Sequence, residues 1–99
     1  MNGEREKMAA MNAWLDEVCS ELGVDRELMT QTTGPLLALI RDVAHGPSRP
    51  AAPLTAFLLG LASAQDGAQA VGDQAAAVGA RIETLSRLAR AWPTPDASA

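Results

Sequence analysis

The sequence predicts an all-α fold, a small four-helix bundle. Three observations carry that expectation: an apolar fraction of 47 % dominated by Ala and Leu, only three aromatic side chains, and apolar residues that recur at three- and four-residue steps. Small side chains let helix axes approach closely. A sheet draws instead on β-branched and aromatic residues, which are scarce here. Ninety-nine residues suit one domain with one hydrophobic core.

Met1 to Lys7 are polar and are expected to fray. A first helix is expected over about Met8 to Leu22, because Met8, Met11, Leu15, Val18, Cys19 and Leu22 form one apolar stripe. Asp16, Glu17 and Glu21 lie off that stripe, as a solvated acidic face or a docking surface for a basic partner. Gly23 supplies the residue that can turn left-handed just past the helix end.

Asp25 can cap a short turn over Arg26 to Met29, and Gln31-Thr32-Thr33-Gly34 has the composition of a loop. Pro35 then suits the first position of a second helix, about Pro35 to His45, with Leu36, Leu39, Ile40 and Val43 inward. Gly46-Pro47 stops it. The proline-rich connector Ser48 to Pro53 leads into a third helix, about Pro53 to Gln65. Leu54, Phe57, Leu58, Leu59 and Leu61 cover most of its circumference, which predicts a helix central to the bundle or buried on a partner. Gly60 would then mark a close crossing.

A fourth helix is expected over about Ala68 to Trp92. Val71, Ala75, Val78, Ile82, Leu85, Ala89 and Trp92 form a heptad-like seam. Gly72 and Gly79 weaken its first half and leave its continuity open. Glu83 and Arg87 form a favourable pair four apart. Pro93 ends the helix, and residues 93–99 are expected to be a disordered tail. The domain proper is thus about residues 8–92.

The formal charge of −4, with one Lys and seven Arg among the basic residues, disfavours nucleic acid, whose binding rests on phosphate neutralisation. It disfavours anionic membranes for the same reason. The most apolar run, Ala51 to Ala64, falls short of the ~20 residues a membrane span needs. A single cysteine cannot form an internal disulfide, and the charged N-terminus has no apolar signal core; both fit the cytoplasm.

The densest polar cluster is Arg41, Asp42, His45 and Arg49. Asp42 and His45, three apart on a helix, can meet, and a carboxylate orienting an imidazole recurs in catalytic and metal sites. With one histidine in the chain and no second ligand cluster, neither a metal nor a cofactor is expected. The alternative is that His45 does no more than favour a helix C-terminus. Arg49, ahead of the third helix, is a candidate with His45 for holding a phosphate or nucleotide at that helix start, or alternatively a staple for its loop. Cys19 fits inert core filling, and the methionines gap filling. Phosphate-binding glycine loops, dinucleotide fingerprints and nucleophile–base signatures are missing, so no enzymatic activity is expected.

Asn12-Ala13-Trp14-Leu15, Arg41-Asp42-Val43-Ala44-His45-Gly46 and Arg49-Pro50-Ala51-Ala52-Pro53-Leu54-Thr55, with the late Ile82, Leu85 and Leu88-Ala89, carry a resemblance over about residues 9–92. Together they resemble a bacterial helical domain family of unknown function. That family occurs alone or as a C-terminal extension of molybdenum cofactor guanylyltransferase-like proteins. The resemblance implies an association with molybdenum cofactor biosynthesis and a nucleotidyltransferase as protein partner. It implies no catalytic residues. The apolar third helix or the seam of the fourth also allows a homodimer.

Overall fold

In the computed structural model, which describes residues 2–93, the chain forms four helices: α1 (Asn2–Leu22), α2 (Arg26–His45), α3 (Ala51–Ala64) and α4 (Val71–Ala91). The small all-α four-helix bundle is therefore the fold, though its helices share the core unequally. Leu39, Val43, Ala52, Leu59, Ile82 and Ala89 form the buried cluster, with Leu36, Ile40, Val78 and Leu85 packed around it. All of these belong to α2, α3 and α4. Helix α1 touches α2 alone.

Helix α1 starts at Asn2, ahead of the expected Met8, so Asn2–Lys7 of the stretch expected to fray is helical, while Met1 lies outside the described residues. Every residue from Gly3 to Ala10 is nevertheless exposed. Among the described side chains of α1, Cys19 alone is buried. The helix ends as its sequence predicts: Gly23 adopts φ +70°, and the Val24 amide donates to the Cys19 carbonyl at 2.9 Å. That six-to-one closure satisfies a carbonyl the helix would otherwise orphan. Asp25 then caps α2, its carboxylate accepting from the Glu27 amide at 2.9 Å. Arg26 fastens the two helices, donating to Asp16 at 2.8 Å and to Asn12 at 3.1 Å.

The expected loop at Gln31–Gly34 is absent. Helix α2 runs through Gly34 and Pro35 without interruption. Proline removes the amide that would meet the Gln31 carbonyl, and it crowds the Cβ of whatever residue precedes it. Gly34 has no Cβ to crowd, so the preceding residue can stay helical. The Thr32 and Thr33 hydroxyls donate back to the Leu28 and Met29 carbonyls, at 2.8 and 2.6 Å, instead of turning the chain. Thr32 is buried as well.

Helix α3 begins at Ala51, two residues before the expected Pro53, and is not central; α2 takes that place, touching all three other helices. The face of α3 opposite Ala52 and Leu59 is open. Gly60 lies on it, where an added Cβ would meet nothing within 4 Å, so it marks no crossing within the chain. Helix α4 begins at Val71 rather than Ala68 and is continuous through Gly72 and Gly79. The Gln74 side chain donates to the Ala68 carbonyl at 3.1 Å and holds the preceding turn in place. Ile82 and Ala89 of the seam are buried, and Trp92 stands at the C-cap, half exposed. Of the tail expected over 93–99, residues 94–99 lie outside those described.

Candidate functional site

Asp42, in the last turns of α2, is aimed across to α4. Its carboxylate accepts from the Arg90 guanidinium at 3.0 Å. Asp42 and His45, which their spacing allows to meet, form no hydrogen bond with each other. His45 is exposed, and with Asp42, Gly46, Ala89, Arg90 and Trp92 it lines a shallow depression where α2 ends against α4. Arg41 and Arg49 are exposed and do not line it. Neither makes a side-chain hydrogen bond or ion pair with the described residues. Of the four residues singled out in the sequence, the fold therefore brings together two, and it adds Arg90, which no short spacing could have indicated. Pro50, with no side-chain oxygen, occupies the N-cap of α3.

Among the described residues, no three His, Cys, Asp or Glu side chains gather as a metal-binding group. Among the described residues, no helix is long and apolar enough to cross a membrane.

A second surface is larger and of different chemistry. The fourteen residues of α3 include no ionisable side chain. Leu54, Phe57, Leu58 and Leu61 remain 64, 66, 61 and 50 % exposed. Their spacing of three, four and seven places them on one face of the helix. Beside them a groove of about 620 Å³ runs between α3 and α4, with Leu58, Leu59 and Ala62 on one bank and Ala77, Ala80, Thr84 and Leu85 on the other. Leu85 also lines a separate concavity, shared with Val43 and Pro47 of the α2 end and with Leu88 and Trp92. The far end of the groove is closed by the Arg81 guanidinium, which donates to both Asp66 oxygens, at 2.5 and 2.9 Å. Those hydrogen bonds hold the Asp66 carboxyl below the ordinary aspartate value and the Arg81 guanidinium above its own. Partial desolvation opposes both shifts, and the mutual charge adds to them.

The sequence announced this surface only as excess. The run Leu54 to Leu61 contains more apolar residues than one buried face can use. Periodicity cannot tell which side of such a helix is turned inward.

Three helices around a shared apolar core, with α1 laid against α2 and an open apolar face on α3, define a small helical module. The chain belongs to the family described as Domain of unknown function (DUF6457), whose model matches residues 6–97. No curated protein and no solved structure matches the chain.

Proposed function

We propose that this chain is a non-catalytic interaction module that presents the apolar face of α3 to another polypeptide. The observation that carries the proposal is the uncharged stripe Leu54, Phe57, Leu58 and Leu61, uncovered on a chain whose core lies on the other side of the same helix. Scattered surface leucines need no explanation. A contiguous apolar face running into an apolar groove is the usual mark of an interaction surface.

The resemblance in the sequence supports a bacterial setting and a link to molybdenum cofactor biosynthesis, and the single cysteine suits the reducing cytoplasm. A nucleotidyltransferase of that biosynthesis is accordingly the first partner to try. Support for a non-catalytic role comes from Asp42, whose carboxylate is engaged by Arg90 rather than by the lone His45. The test is direct titration of the purified chain with such an enzyme by calorimetry, alongside the Phe57→Glu variant. Micromolar binding that Phe57→Glu weakens at least tenfold is expected. Binding that the substitution leaves unchanged would move the contact off α3.

A further inference from the structure

The α3 face has a property that bears on what covers it. Leu54, Phe57, Leu58 and Leu61 keep the same spacing when the helix is read in either direction, and Leu stands at both ends. Two copies of α3 laid antiparallel about a two-fold axis therefore match. Leu54 of one meets Leu61 of the other, and Phe57 of each meets Leu58 of the other on either side of the axis. An isologous interface requires that kind of self-complementarity.

Charge permits the same arrangement. Each chain carries a net −4, which opposes association at long range. None of that charge lies on α3, so two copies meeting there bring no like charges into contact. The size is also sufficient. The four stripe residues, all at least half exposed, offer on the order of 450 Å² of apolar surface per copy, so a pair covers about 900 Å², the size of a weak interface that forms at micromolar concentrations or above.

We infer that a second copy of this chain covers the α3 face, in an antiparallel helix-to-helix homodimer with the two-fold axis beside Phe57 and Leu58. This rests on α3 being the interaction face, and it names a second copy as the occupant in the free chain, which a nucleotidyltransferase binding through Phe57 would displace.

Sedimentation equilibrium of the full chain over micromolar concentrations is the test, with circular dichroism confirming helix content in each variant. The expected mass is twice the 10.3 kDa of one chain. Leu54→Glu, or Leu61→Lys alone, raises the dimer dissociation constant on the order of a hundredfold, because each substitution enters the interface twice. The double variant Leu54→Glu/Leu61→Lys recovers most of that loss, since antiparallel pairing sets each glutamate against the partner's lysine. A parallel pair would set glutamate on glutamate and recover nothing.

A monomer at every concentration overturns the inference, as does a dimer indifferent to Leu54→Glu. Should the monomer still bind a nucleotidyltransferase through Phe57, the dimer fails while the interaction module stands. If Phe57→Glu also leaves that binding unchanged, both fail.

Discussion

Gly46 and Ala89 meet backbone to backbone. A Cβ built on Gly46 would lie 2.7 Å from the Ala89 carbonyl oxygen and 3.0 Å from that of Asp42. The C-terminal turn of α2 is thus seated directly on α4, and the Gly46 amide closes it by donating to the Asp42 carbonyl at 2.9 Å. Neither obstacle is the end of a flexible side chain, so a methyl group can be accommodated only if α2 and α4 separate. Gly46→Ala is expected to cost about 1–3 kcal/mol, the range for overpacking a rigid site. Urea denaturation with an unchanged slope and a lower midpoint is the expected result.

Gly79 gives the opposite sign. It lies inside α4, its φ is not positive, and an added Cβ would meet nothing within 4 Å. Only the entropy of the unfolded chain is at issue there. Gly79→Ala should stabilise the fold by about 0.5–1 kcal/mol, read as a rise in thermal midpoint.

The Arg81–Asp66 pair at the groove end gives a pH-dependent signature. Asp66 titrates below the ordinary aspartate value of 3.8 in the folded chain, held there first by the hydrogen bonds from Arg81. A carboxyl depressed on folding contributes stability that is fully present above its unfolded value. That contribution is lost as pH falls through the lower, folded value. Carboxyl chemical shifts followed by NMR from pH 6 downward should show Asp66 titrating late. In Arg81→Gln its midpoint should rise toward 3.8. A midpoint that ignores the substitution would remove the pair as the cause.

Helix α1 should open first. It touches only α2, its residues from Gly3 to Ala10 are all exposed, and its link through Arg26 to Asp16 and Asn12 is solvent-accessible. An exposed pair of that kind contributes about 0–1 kcal/mol. Native-state hydrogen exchange should show amides of Gly3–Ala10 unprotected, those near Cys19 intermediate, and those around Leu39 and Ile82 slowest. Arg26→Ala should speed exchange in α1 and leave α4 unchanged.

What the sequence made legible follows from the range of the forces involved. The Gly23 stop, the Asp25 cap and the Glu83–Arg87 pair, observed at 3.7 Å, are decided within a few residues and could be read directly. So could the inward set Leu36, Leu39, Ile40 and Val43, because α2 has one apolar stripe. The Gln31–Pro35 segment misled because turn composition is a local preference, and burial of Thr32 against the rest of the fold overrides it. At the polar cluster, Asp42 and His45 were identifiable as neighbours. The choice of Arg90 over His45 depends on a residue 48 positions away, which no local pattern encodes. The open side of α3 was hidden for a related reason: a helix apolar all round carries no mark of which face the fold leaves over.

The single-sided attachment of α1 has a consequence for how freely the chain can vary. Positions in α2, α3 and α4 answer to one another through Leu39, Leu59, Ile82 and Ala89, so a change at one constrains the choices at the others. Along Gly3–Ala10 no neighbour imposes such a condition, and only helix propensity and solubility remain to be met. A saturation library of this chain should accordingly tolerate nearly every residue but proline there, while the buried positions of α2, α3 and α4 accept few.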